Sequence, residues 1–230
     1  MSVEPLIQLE KVTKNYRIGE ETVRALAGVD FEVAEGEFVA LVGPSGSGKS
    51  TMLHVIGGLD SPSSGEVIVA GRNLSQASDN QLSRYRNRSV GFVFQTFNLH
   101  PTLNALENVA LPLVFSGTPH RQRLEAAREA LEEVGLAERA GHRPNQLSGG
   151  ERQRVSIARA LVAGPKIILA DEPTGNLDSK TGERIVALLL RLNKERGITT
   201  VLVTHDLDIA TRVPRIISMR DGNIVDERRA

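Results

Sequence analysis

The spacing of apolar positions changes period along this chain, and the changes outline an α/β protein with a helical insertion. Ile7 and Leu9 alternate with Gln8 and Glu10, and Val29, Phe31 and Val33 alternate with Asp30 and Glu32, the period of half-buried strands. After a turn at Glu35-Gly36, Phe38–Val42 is apolar on both faces, as a central parallel strand must be. Gly43 breaks that strand, and Lys49 opens a helix predicted to end near Gly57-Gly58. Val67–Ala70 and Val90–Phe94 read as further short strands.

Between Phe97 and Asn145 the strand signals stop. Thr118-Pro119 predicts a helix start, a capping residue followed by proline at the first helical position. Leu124, Ala127, Leu131 and Val134 recur at helical spacing, and Gly135 suits the end of that helix. A second helical run starts at Ser148-Gly149-Gly150 and continues to about Ala163. Strand character returns at Ile167–Ala170. A helix then carries Ile185, Leu188, Leu189 and Leu192 on one stripe, and a strand covers Thr200–Val203. Arg220-Asp221-Gly222 predicts the turn of a last hairpin.

Composition narrows the class without naming a function. With 40% hydrophobic and 24% charged residues, the chain reads as an ordinary soluble globular protein. Acids and bases balance at 28 each, so nothing pulls it in bulk toward nucleic acid or anionic lipid. Cysteine is absent, which excludes disulfides and thiolate metal sites and suits the cytosol. Met1–Pro5 shows no basic region leading into an apolar run, so no signal peptide is expected. Val109–Phe115, interrupted by Pro112, and Ile185–Leu190 fall far short of the roughly 20 residues that span a bilayer. Any membrane role is therefore expected to pass through a partner chain.

The candidate chemistry sits at strand ends. Gly43-Pro44-Ser45-Gly46-Ser47-Gly48-Lys49-Ser50 matches G-x-x-x-x-G-K-[ST], with a buried strand before it and a helix after it. Its glycines let backbone N–H groups turn inward onto phosphates, Lys49 is placed for the β/γ-phosphates, and the Ser50 hydroxyl is placed for Mg²⁺. Ile167–Ala170 ends in two carboxylates. Asp171 can hold that magnesium directly or through water, and Glu172 can orient and deprotonate an attacking water; read alone, the pair can equally cap the next helix or face solvent. Gln95 and His205 each follow a buried strand, at the edge where open α/β sheets bind ligands. Gln95 could accept from a metal-bound water and His205 could reach a γ-phosphate, although a lone Gln or His in a loop is usually inert. Tyr16, in a chain with 3% aromatic residues, could stack on adenine or simply pack. Asp178 reads as the N-cap of the following helix.

Leu147-Ser148-Gly149-Gly150-Glu151 is the most discriminating stretch. A second turn opening a helix supplies a second set of backbone N–H groups, hence a second anion cradle. A phosphate chain already wrapped by Gly43–Ser50 leaves little room for it in the same subunit. The economical reading is that it serves a nucleotide held by another copy.

Together these elements resemble the ATP-binding subunit of ABC transporters, over essentially the whole chain. Tyr16 matches the aromatic position, Gly43–Ser50 the Walker A loop and Gln95 the Q-loop; Leu147–Glu151 matches the signature, Ile167–Glu172 the Walker B strand, Asn176–Asp178 the D-loop and His205 the switch histidine. Val90–Gln95, Thr102–Val109, Leu147–Arg154 and Asp171–Asp178 are similar to the branch containing LolD, YbbA and the ATPase part of MacB, where Glu151 is usual in place of the commoner glutamine. The chain stops at Ala230, so a fused exporter is not expected.

The resemblance implies a P-loop NTPase fold with an N-terminal antiparallel β subdomain. It implies one domain over 1–230, with a core from 1–96 and 146–230 and a helical subdomain over 97–145 whose last helix continues to about 163. It implies Mg²⁺-dependent ATP hydrolysis with Glu172, His205 and Gln95 catalytic and with Ser50, Gln95 and Asp171 at the metal. The nucleotide-binding set it implies is Tyr16, Gly43–Ser50, Thr51, Ser148, Gly149, Gly150, Glu151 and Asp178. The implied partners are a second copy and a separate transmembrane permease, with no nucleic acid, on the cytoplasmic face of the cell membrane. A repair- or translation-type ABC ATPase is the rival reading, but the chain lacks a long coiled-coil insertion, a second cassette and a basic surplus. A GTPase is weaker, since Asn193-Lys194-Glu195-Arg196 lacks the aspartate of N-K-x-D. Cargo stays open between lipoprotein release, export of a lipophilic or peptide compound, and a mechanical role at the envelope.

Overall fold

Two sheets of different character divide the chain in a computed structural model that describes residues 5–229. The leader reading on Met1–Glu4 and the chain end at Ala230 lie outside the described residues. β1 (Ile7–Ile18), β2 (Glu21–Val33) and β3 (Phe38–Val42) lead into α1 (Lys49–Ile56), followed by β4 (Ser64–Val69), β5 (Arg72–Asn73), α2 (Asp79–Ser89) and β6 (Val90–Phe94). α3 (Ala105–Phe115), α4 (His120–Glu133) and α5 (Gly149–Leu161) come next, with short 3-10 turns at Ala137–Arg139 and Pro144–Gln146. β7 (Ile167–Asp171), α6 (Ser179–Arg196), β8 (Thr199–Val203), α7 (Leu207–Ala210), β9 (Arg215–Arg220) and β10 (Asn223–Arg229) complete it.

β2, β1, β4 and β5 form an antiparallel sheet in that order, and the second sheet runs β10-β9-β3-β8-β7-β6. In the second sheet only β10 is antiparallel to its neighbour, joined to β9 by a turn with positive φ at both Asp221 and Gly222. Every residue of β3 and β8 is buried, because apolar layers cover both faces of this sheet. Phe38, Ala40 and Val42 face a core built with the helices α3–α6, while Val39 and Leu41 face one shared with α1 and the antiparallel sheet. Gly91 lets α5 lie close over β6: a Cβ there would stand 2.4 Å from the Ala160 carbonyl oxygen. The register sets Phe94 opposite Asp171 and Asp171 opposite Val203. The chain therefore leaves β6, β7 and β8 at one edge, delivering Gln95, Glu172 and Thr204 side by side.

The helical segment differs in detail from its prediction. α4 begins at His120 with Pro119 as its N-cap, one residue later than the Thr118-Pro119 pattern suggests. α2 carries almost no apolar stripe, burying only Leu82 and Tyr85, and starts on a capping box between Ser78 and Gln81. α4 is tied to α6 by Arg196–Glu133 at 2.6 Å and by Arg191 Nη2 donating to the Glu133 carbonyl at 2.8 Å.

Candidate functional site

The loop after β3 needs glycine at two positions for lack of space. Gly43 (φ 150°) and Gly48 (φ 100°) would place a Cβ 2.2 Å from the Met219 carbonyl and 2.3 Å from the Ala25 carbonyl. The loop so formed ends at the N-terminus of α1, whose first turn carries no carboxylate to compete for an anion. Lys49 is buried, and its Nζ donates to the carbonyls of Gly43 (2.9 Å) and Pro44 (2.8 Å), arching over the loop. Burial lowers the Lys49 pKa, against the opposing pull of Glu172 and Asp171.

Ser50 Oγ donates to Asp171 Oδ1 at 2.9 Å, so α1 and the end of β7 bring a hydroxyl and a carboxylate into contact. A hard oxygen pair of this kind suits Mg²⁺, which keeps few protein ligands and shares its shell with phosphate and water. Among the described residues no group of three or more His, Cys, Asp or Glu forms an all-protein cage. His54 Nε2 stands 3.8 Å from Asp171 Oδ2.

Glu172 follows with φ 45°, an uncommon conformation for a side chain with a Cβ, fixed by its N–H bonding the Val203 carbonyl at 3.0 Å. Its Oε1 is 3.2 Å from His205 Nδ1, so the two residues read from separate strand ends meet. Gln95 packs against Gly175, where a Cβ would stand 2.6 Å from Gln95 Nε2, and its carbonyl accepts from Asn176 Nδ2 at 3.0 Å.

Tyr16 is held at its hydroxyl, which donates to Asp60 Oδ2 at 2.7 Å, while Lys14 Nζ lies 5.0 Å from its ring centroid. Burial raises the Tyr16 pKa, as does the Asp60 contact. For Asp60, burial works upward, but hydrogen bonds from Lys14 and Tyr16 hold the carboxyl below its usual range.

Ser148 caps α5: its Oγ accepts from the Glu151 N–H at 3.2 Å, and Glu151 Oε2 accepts from the Ser148 N–H at 2.8 Å. Those bonds from Ser148, with Arg139 nearby, hold the Glu151 carboxyl below its usual range. Gly150 leaves room for Thr181, whose Cγ2 would stand 2.6 Å from an added Cβ. Ser148–Glu151 and Asn176–Asp178 line one cavity of about 860 Å³, and none of Gly43–Thr51 lines it. Asp178 accepts from the Thr181 N–H at 3.0 Å and caps α6, the role expected of it.

The structure thus joins Ser50 to Asp171, Glu172 to His205 and Gln95 to the Gly175-Asn176 turn, and keeps Ser148–Glu151 apart from the phosphate loop. Sequence reasoning missed Lys14, His54 and Asp60. Asp60 lies just past the predicted helix end near Gly57-Gly58, where no chemistry was read, and its partner Tyr16 is 44 positions away.

The comparisons agree with this geometry. The ABC transporter family matches residues 26–175. The lipoprotein-releasing system ATP-binding protein LolD of Geobacter metallireducens is 49% identical over 220 residues, covering 96% of this chain and 98% of LolD. The macrolide export ATP-binding/permease protein MacB of Chlorobaculum tepidum is 49% identical over 224 residues, covering 97% of this chain but only 34% of MacB. The cassette MJ0796 of Methanocaldococcus jannaschii, solved as a dimer in a post-hydrolysis state bound to ADP and Pi, superposes with a TM-score of 0.89 at 50% identity, covering 97% of this chain and 98% of that one. A phosphate loop facing a carboxylate pair, a helix-opening Ser-Gly-Gly turn and this breadth of likeness place the chain in the ABC transporter family, as an ATP-binding and ATP-hydrolysing subunit of the LolD and MacB type.

Proposed function

We propose that two copies of this chain close head to tail on two ATP molecules, and that the cycle of closing and opening drives a separate membrane permease. One observation carries this reading: Ser148–Glu151 opens on a cavity shared with Asn176–Asp178 and not with Gly43–Thr51. The first N–H groups of a helix have no partner within it, so this turn is an anion cradle turned away from its own phosphate loop. The dimeric state of the MJ0796 cassette supports the same arrangement.

In this reading Tyr16 stacks on adenine, while Gly43–Thr51, with Lys49, cradles the β/γ-phosphates. Ser50, Asp171 and Gln95 hold Mg²⁺, which when bound offsets phosphate charge. Glu172 takes a proton from water as the water oxygen bonds to the γ-phosphorus and the bond to the ADP oxygen breaks. His205, 3.2 Å from Glu172, holds that carboxylate and reaches the γ-phosphate. Ser148, Gly149, Gly150, Glu151 and Asp178 of the opposite copy complete the charge stabilisation. Loss of the shared γ-phosphate opens the dimer, and the segment 97–145 passes the motion on.

Among the described residues no helix is long and apolar enough to cross a membrane. The docking surface is a groove of about 680 Å³ between α2, β6, α3 and α5, which takes in Leu111 and Pro112. Phe92, Leu111 and Phe115 line it, Phe115 is 82% exposed, and Arg84 and Arg88 stand on its rim with no carboxylate in the lining. That suits an apolar permease segment with an acidic end, at the cytoplasmic face of the membrane. The likeness to LolD and MacB favours release or export of lipoproteins or lipophilic or peptide compounds.

Two variants test separate halves. Glu172→Gln leaves ATP binding intact and traps an ATP-bound dimer on size exclusion; full hydrolysis by it removes Glu172 as the base. Ser148→Arg abolishes ATP-driven dimerisation while a single subunit still binds nucleotide, and normal dimerisation by this variant overturns the shared cradle.

A further inference from the structure

We infer that α5 grips the Gln95 loop, and that Gln153 and Arg159 are positioning residues that set Gln95 for hydrolysis. The loop from Phe94 to Asn98 is held by its own carbonyls. Gln153 Nε2 donates to the Phe94 carbonyl at 3.4 Å, and Arg159 donates through Nη2 to Phe97 at 2.9 Å and through Nη1 to Asn98. The Arg152 guanidinium lies 5.1 Å from the Phe97 ring centroid. From the opposite side Asn176 Nδ2 holds the Gln95 carbonyl at 3.0 Å. Asn98 closes the loop at φ 50°.

Residues 152, 153, 156 and 159 fall on one side of α5, the helix that Ser148 opens. A rigid helix with its first turn at the cavity of Ser148–Glu151 and its next turns fastened to three loop positions, Phe94, Phe97 and Asn98, cannot move without moving the loop. Two features argue against mere packing. Arg159 is desolvated, which lowers its pKa, yet it meets carbonyls rather than a carboxylate, where an apolar side chain would fill the space without burying a charge. Gln153 is fully buried and its Oε1 has no partner. A buried acceptor left unbonded is costly, so a glutamine there is poorly suited to packing alone and well suited to holding the strand end beside Gln95.

The inference rests on the reading of Gln95 as a residue of the hydrolysis site. The test measures steady-state ATPase, ATP affinity and thermal midpoint for Gln153→Leu, Arg159→Met, Arg159→Lys, Gln95→Ala and the double variant Gln95→Ala/Gln153→Leu. Gln153→Leu removes the tie together with the unbonded acceptor, so folding is retained. We expect kcat to fall about tenfold or more in Gln153→Leu and Arg159→Met, with KM and ATP affinity within about twofold, a barrier change on the order of one kinetic decade. Arg159→Lys recovers part of the rate. Because both act through Gln95, Gln153→Leu slows the Gln95→Ala background little further. Wild-type kcat in Gln153→Leu, or losses that multiply independently in the double variant, overturns the inference. Wild-type kcat in Gln95→Ala alone instead overturns the underlying reading of Gln95.

Discussion

Asp60 offers the sharpest test of the proposal that Tyr16 stacks on the nucleotide base. Its carboxylate accepts from the Tyr16 hydroxyl at 2.7 Å and also binds the Lys14 ammonium, which sits over the Tyr16 ring. Asp60→Ala therefore frees the ring without touching a phosphate ligand. Immobilising one rotamer-rich side chain at a binding surface costs about 0.5–1.5 kcal/mol. With Tyr16 stacked on adenine as proposed, the Asp60 bonds meet that cost in advance in the wild type, and ATP binding must meet it in the variant. The expected result is a loss in ATP affinity of roughly twofold to tenfold, since each 1.4 kcal/mol is a factor of ten. Calorimetric titration gives the affinity, and steady-state assays give a raised KM with kcat unchanged. An unchanged affinity would refute the anchoring role. A lowered kcat at saturating ATP would show that Asp60 acts on the chemistry instead.

Tyr85 is buried with its hydroxyl donating to the Ile56 carbonyl at 2.8 Å, and Tyr85→Phe leaves that carbonyl unbonded. A loss of about 1–3 kcal/mol is expected, read as a lower denaturant midpoint with ATP affinity retained. Gly91→Ala forces a Cβ against the Ala160 backbone and should destabilise by roughly 1–3 kcal/mol, seen as a drop in thermal midpoint. The Glu151 carboxyl is depressed in the folded state by its bonds from Ser148, so the stability it adds is present above the ordinary glutamate range and is lost as pH falls through the depressed value. An NMR titration should place its midpoint below that of an exposed glutamate, and Ser148→Ala should move it up.

Much of the architecture was legible because its signals are local. A strand buried on both faces must be apolar at every position, as Phe38–Val42 and Ile167–Ala170 are, and a glycine loop between strand and helix identifies its own fold. The same locality made Asp178 readable as a cap, since a cap bonds three residues along the chain. Asp79–Ser89 escaped notice for the opposite reason: a helix that buries only Leu82 and Tyr85 shows no stripe, and neighbouring elements hold it in place. Thr118-Pro119 gave the start of α4 to within one residue, the usual slack where proline serves at either the cap or the first turn.

By itself the sequence pointed to the family, the Gly43–Ser50 loop, the Asp171-Glu172 pair and the helix start at Ser148-Gly149-Gly150, because each lies within a few consecutive positions. Which groups meet across the site depended on folding. Glu172 finds His205 because β7 and β8 end in register, Tyr16 finds Asp60 because the segment leading into β4 runs beside β1, and α5 reaches the Gln95 loop because Gly91 lets it lie against β6. Such contacts join residues tens of positions apart, and no local pattern encodes the strand register and helix packing that bring them together.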